Sequence, residues 1–282
     1  MIYILLSISC SVTVSILLKL ARRYHISIVQ AVTWNYIFAI LLAVIFFKPQ
    51  MGDLKITDYS IYVSLGILLP VVFWILARSI RTTGIARTDI AQRLSLIIPL
   101  LAAYFVFQEQ FNAVKLAGIA LGFISILLIL SVKKTTSQPS ATYVYPVLVF
   151  LGFGCVDILF KKIAVISGVP YTTSLVVVFC CSAVISLIAT VYLVVAKKEK
   201  LQLVNILCGF ILGCFNFGNI FFYLKAHQAF ASNPSTVFAS MNIGVITLGC
   251  LIGVFAFKER LTKFNLIGLI VAVLAVVLIT VS

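Results

Sequence analysis

Residues 108–122, "QEQFNAVKLAGIALG", have a counterpart 150 positions further on, residues 258–272, "KERLTKFNLIGLIVA". In that register Glu109 meets Glu259, Leu116 meets Leu266 and Gly118 meets Gly268. Apolar sequence matches itself easily by chance, so the glutamates and glycines carry the alignment more than the leucines. Gly118 with Gly122, and Gly268 with Ala272, are small-xxx-small pairs, which let helix backbones approach closely in lipid. Outward from these segments the chain divides near its middle at "SVKKTTSQPSATY", residues 131–143, its most polar and Ser/Thr-rich connection. Five apolar runs precede that connection and five follow it, so the halves are expected at 1–136 and 137–282 within one membrane domain.

The ten runs lie at roughly 2–20, 28–47, 59–79, 88–107, 113–131, 144–165, 172–195, 202–225, 235–256 and 262–281. About 20 residues at 1.5 Å each span the ~30 Å of a bilayer's hydrocarbon. The composition agrees: 63% hydrophobic and only 10% charged, with mean hydropathy +1.21, is far from a soluble domain. A closed barrel would show short alternating segments, which are absent. The expected fold is therefore all-α and integral to the membrane, ten transmembrane helices in two five-helix repeats. Five spans, an odd number, force the second repeat to enter the bilayer inverted, an arrangement common among secondary transporters. The first run has no basic stretch before it and no small-residue cleavage site after it, so it reads as a retained span.

A net charge of +14 would point to nucleic acid in a soluble protein. Here the basic residues gather at span ends, where anionic lipid and the positive-inside bias account for them, so membrane lipid is the expected partner and nucleic acid is not. The seven cysteines all fall within spans, without metal-ligand spacing, and read as packing residues. No metal, cofactor or catalytic group is expected.

Ten spans, a five-plus-five duplication and the "QEQ…G" and "KER…G" endings resemble the drug/metabolite transporter superfamily, in particular its EamA-like members. That resemblance implies a carrier moving small metabolites, amino acids or drugs, often outward, across the plasma (inner) membrane through a cavity shared by both halves. Two positions depart from the usual pattern: Gly249 stands where the first half has Pro99, and "TWNY" puts Asn35 where an arginine is common. Connections that follow odd-numbered spans hold fourteen Lys and Arg, the others six, with Arg93 left inside a span. The positive-inside rule then puts both termini outside, whereas the resemblance implies both inside.

Few polar residues are available to meet a solute. Arg93 lies inside the fourth span beside Gln92; it faces a cavity, where its planar fork suits a carboxylate or phosphate, or it pairs with Asp89 four residues back. Asp157 sits deeper, in "FGCVDILFKKIA", with Lys161 four residues on as its structural partner. Some small relatives in the superfamily use one first-helix carboxylate to bind a proton or cation, and Asp157 resembles that placement, which makes it the coupling candidate. The eighth span sets Asn216, Asn219, Tyr223 and His227 at steps of three, four and four, one polar helix face that must meet protein or water. It lines a cavity or bonds to neighbouring helices, and His227, near the helix end, is expected at the interface. In the ninth span Thr236, Ser240, Gly244 and Thr247 form a small hydroxyl stripe, with Asn242 off it. Asn35, Trp74, Ser240 and Asn242 complete the candidate substrate contacts. Glu109 and Glu259 are expected as solvated structural residues closing their helices.

The reading these residues support is a secondary transporter for a small polar metabolite, amino-acid-like, anionic or zwitterionic. It works by alternating access, in the export direction, with proton coupling or solute exchange. The alternatives are a flippase for a lipid-linked substrate and a non-transporting partner subunit. An integral-membrane enzyme ranks below both, because two histidines and seven dispersed acids supply no catalytic cluster. The small-residue motifs serve contacts within one chain or between two copies, so a homodimer stays open.

Overall fold

One of the ten apolar runs is broken, so the computed structural model has eleven helices among the residues it describes, which are 1–23, 26–47, 59–83, 85–129, 144–165, 170–257 and 263–281. The first half holds α1 (Ile2–Arg23), α2 (Ile28–Phe47), α3 (Tyr59–Thr83), α4 (Ile85–Leu94), α5 (Ile97–Phe105) and α6 (Ala113–Ile129). The second holds α7 (Val144–Val165), α8 (Tyr171–Ala196), α9 (Leu203–Ala229), α10 (Pro234–Phe257) and α11 (Lys263–Val281). The expected fourth span is the pair α4 and α5. Pro99 has no N–H to offer, and its ring would collide with the Ser95 carbonyl in a continuous helix. The chain tightens there instead: Ile98 N donates to Ser95 O at 3.0 Å, Leu96 N to Arg93 O at 3.3 Å, and Ser95 Oγ to Gln92 O at 2.6 Å.

Six helices, α2, α3, α8, α9, α10 and α11, are each long and apolar enough to cross a membrane. Their outward faces are as apolar as their inward ones. On α11, Ile267, Ile270, Val273, Leu274 and Val277 are exposed while Gly268, Ala272 and Ala275 are buried. A face of large apolar side chains turned outward, with glycine and alanine among the buried residues, suits a helix whose solvent is lipid. The chain is a multi-pass membrane protein.

Side-chain bonds fix which helix ends meet. Ser7 Oγ donates to both the backbone O and the Oδ1 of Asn219, each at 2.9 Å, so the start of α1 lies beside the second half of α9. Thr236 Oγ1 reaches Ile279 O, and Lys161 Nζ reaches Ala231 O just after α9. The beginnings of α1 and α10 and the ends of α7, α9 and α11 therefore share one end of the bundle, the end that holds both termini. At the opposite end Asn205 Oδ1 accepts from Ser27 N at 3.2 Å and Asn205 Nδ2 donates to Gln30 Oε1 at 2.7 Å, joining the starts of α2 and α9. Asn265 Nδ2 reaches Ile129 O there, joining α11 to the end of α6. Thus α1 starts at the end where α7 finishes.

Packing runs mainly between the halves: α6 on α11, α2 on α8 and α9, α1 on α9 and α10, and α3 on α7 and α8. Its closest approaches come in numerically offset pairs. Gly118 abuts Leu278 and Ile279, and Gly268 abuts Leu128 and Ile129, each residue 150 from its counterpart. Gly209 lies against Ala31 and Trp34, and Gly66 against Val178 and Cys181. A Cβ on Gly268 would stand 2.9 Å from the Ile129 backbone nitrogen, which no rotamer change can relieve. Gly268→Ala is therefore expected to destabilise the protein by about 1–3 kcal/mol. Gly249, by contrast, has nothing within 4 Å of an added Cβ, and Gly249→Ala is expected to be neutral or to gain up to about 1 kcal/mol. Thermal unfolding of the detergent-solubilised variants measures both.

Candidate functional site

The polar face of α9 turns inward. Asn216, Tyr223 and His227 are buried, and Asn219, half-buried, is held by Ser7. Tyr223 OH donates to Asp157 Oδ1 at 2.8 Å, which ties α9 to α7. His227 is wholly buried between the rings of Tyr223, at 4.6 Å, and Phe238, at 4.8 Å. Neither ring nitrogen of His227 has a protein partner, and neither does Asn216 Nδ2. Buried polar atoms are normally bonded, so groups left over along one helix face are candidates for contact with a polar molecule. These residues lie at the seam where α9 meets α1 and α2 of the first half and α7 of the second.

The Asp157–Lys161 pair expected from four-residue spacing is divided between other partners. The carboxylate takes the Tyr223 hydroxyl, and Lys161, 1% exposed, donates to Ala231 O at 2.8 Å with the Phe107 ring at 5.9 Å. Its proximity to Asp157 along the helix loses to a free backbone carbonyl at the end of α9.

A second polar cluster closes the end of the bundle that holds the termini. After α5 the chain reverses through Gln108, at φ 54°, in the left-handed region, and Glu109 N donates back to Ala103 O at 2.9 Å. Glu109 is then 4% exposed. Its Oε1 accepts from Lys115 Nζ at 2.9 Å and from Ser235 Oγ at 2.5 Å, and its Oε2 accepts from Ser235 N at 2.9 Å. Lys115 Nζ also donates to Asn233 Oδ1 at 3.3 Å. A carboxylate at the first turn of α10 meets the positive end of that helix as well as its unpaired N–H groups.

Two expectations are corrected here. Glu109 is a buried ion-pair partner, not a solvated boundary residue. His227 is in the core, because the turn after α9 brings Phe238 back over its ring. Glu259 and the side chain of Asp89 lie outside the described residues.

The remaining candidates are spread around the seam. Asn35 is buried where α2 meets Gly209 and Gly213 of α9. Ser240 is 1% exposed with no protein partner for its hydroxyl, and Trp74 Nε1 likewise has none. Asn242 Nδ2 donates to Phe238 O at 3.1 Å. Gln92 and Arg93 are half-buried in the last turns of α4, which packs against α7. Among the described residues no hydrogen bond joins Asn35, Trp74 or Asn242 to the Asp157–Tyr223 pair. Ser7, Lys115, Asn233 and Ser235 were not among the candidates. Their partners stand off any helical spacing or in the other half, so local pattern carries no signal for them.

A model of the EamA-like transporter family matches residues 1–131. An uncharacterized protein of Haemophilus influenzae is 42% identical over 284 residues, an alignment that takes in 97% of this chain and 95% of that protein. A solved crystal structure superposes with a TM-score of 0.75 at 16% identity, over 99% of this chain and 96% of the other. At that identity the likeness speaks to the fold alone.

Proposed function

We propose, from the premise that this chain belongs to the EamA-like transporter family, that it carries a small zwitterionic or anionic metabolite outward across the plasma membrane by alternating access. The observation that carries the reading is the buried polar face of α9, where Tyr223 holds Asp157 of α7, Asn219 takes Ser7 of the first half and Asn216 Nδ2 has no partner among the described residues. A carboxylate suits the amide of Asn216 and the guanidinium of Arg93 on α4, which packs against α7. Asp157 is the group through which transport is coupled to protons.

The reading includes an inverted repeat of five spans. Three observations support it: the offset of 150 between the Gly118 and Gly268 contacts, the exchange of α2 on α9 for α8 on α3, and the opposite running of α1 and α7. Halves related in this way can rock about a fixed central site.

Purified protein in vesicles, loaded with a mixture of amino acids and organic anions and assayed by counterflow, tests the proposal. Uptake of at least one such solute is expected, and Asn216→Ala or Arg93→Ala is expected to lower it about tenfold, the worth of one strong hydrogen bond. Failure of every zwitterion and anion to move, or uptake indifferent to both substitutions, overturns it.

A further inference from the structure

Among the described residues, a buried carboxylate–ammonium pair of the first half grips the second half at the termini end of the bundle. At the termini end, Glu109 and Lys115 of the first half grip the turn between α9 and α10 of the second. Three donor contacts converge on the Glu109 carboxylate, and Lys115 adds a fourth contact to Asn233. Lys161 pulls on the same turn at Ala231. Every one of these charged groups is nearly or wholly buried, so solvent does not screen their attraction.

The opposite end has different residues at the matching places. In the 150 register of α6 and α11, Lys115 corresponds to Asn265, whose amide donates to the Ile129 carbonyl and carries no charge. Ile98 packs over Gly154 and Ile8 over Gly244, pairs related by 146, and in that register Ser235 corresponds to Asp89. Among the described residues the opposite end is joined across the halves by uncharged groups, Asn265 with the Ile129 carbonyl and Asn205 with Ser27 and Gln30.

We propose that Glu109 is a one-sided latch. Bound to Lys115 and Ser235 it holds the two halves shut at the termini end, and releasing Ser235 opens that end, whereas the described bonds at the other end are between uncharged groups. The carrier is therefore biased toward the state closed at the termini end. The inference rests on the carrier reading above and adds which end is held and by which bond.

The test places one reporter thiol, Ser240→Cys, in the full-length chain with its seven native cysteines replaced by alanine or serine. Ser240 lies five residues along α10 from Ser235, ~8 Å deeper by helical rise. A membrane-impermeant maleimide is added to one side of reconstituted vesicles at a time. Glu109→Gln is expected to speed labelling from the termini side about tenfold, the worth of a charge-assisted bond, without speeding it from the other side. Ser235→Ala, which keeps the Glu109–Lys115 pair and so is the milder change for folding, is expected to give the same sidedness with a rise of about threefold. Labelling that is unchanged from the termini side, or that rises equally from both, overturns the latch. The readout needs no solute, so absent uptake by the unsubstituted protein overturns the carrier reading alone, and flat labelling overturns the latch alone.

Discussion

Lys115→Met is expected to cost the folded protein about 3–5 kcal/mol, the largest loss from any single substitution considered. Lys115 is 2% exposed and its ammonium is, among the described residues, the one full positive charge bonded to the Glu109 carboxylate. Methionine fills the space of the lysine stem and removes only the charge, so the loss does not come from a cavity. What remains is a carboxylate at 4% exposure, held by the hydroxyl and backbone N–H of Ser235 alone. Exposed ion pairs are worth roughly 0–1 kcal/mol, so burial decides the magnitude here. Adding Glu109→Gln to Lys115→Met removes the stranded charge and leaves an amide oxygen that still accepts from Ser235. The double variant is therefore expected to recover to within about 1 kcal/mol of the parent, a coupling that a double-mutant cycle reads directly. Thermal or chemical unfolding in detergent is the measurement. A single-variant loss under about 0.5 kcal/mol, or no recovery in the double, contradicts the buried pair.

The helical architecture was legible because lipid leaves the chain little choice. Each apolar run must bond its own backbone groups, and a helix is the way a single segment does so. The α9 face was legible for the same local reason, since Asn216, Asn219, Tyr223 and His227 recur at helical spacing whatever surrounds them. What escaped depends on tertiary neighbours. Pro99 was visible, but the split into α4 and α5 around it depends on the turn that Ser95 and Leu96 make. Glu109 read as solvated because its two partners are a lysine six residues on, off the helical period, and a serine 126 residues away. Asp157 and Lys161 had the right spacing to pair, and nothing in the local sequence reveals that Tyr223 and the Ala231 carbonyl offer each a different partner. His227 read as interfacial from its place near the helix end, which says nothing of the Phe238 ring that covers it.

Asp157→Asn is expected to abolish proton-driven net uptake, a fall of about a hundredfold or more, while leaving counterflow exchange largely intact. Asparagine keeps an oxygen that accepts from Tyr223 OH, so the α7–α9 tie seen at 2.8 Å survives and the fold is not at issue. It cannot take up or release a proton. If Asp157 carries the coupling proton, the variant is fixed in the equivalent of the protonated form, which can trade one bound solute for another but cannot complete a cycle that discharges the proton. If Asp157 instead binds the ammonium of the solute, loss of its charge removes a contact worth about 1.5–3 kcal/mol, and exchange falls about tenfold to a hundredfold together with net uptake. The two roles therefore part on a single comparison of the same variant. Tyr223→Phe sharpens it: the charge stays, the orienting bond goes, and a loss of roughly 0.5–1.5 kcal/mol is expected in both assays alike. Net uptake and exchange that both match the parent in Asp157→Asn would leave the carboxylate a purely structural partner of Tyr223, and the coupling role assigned to it would be withdrawn.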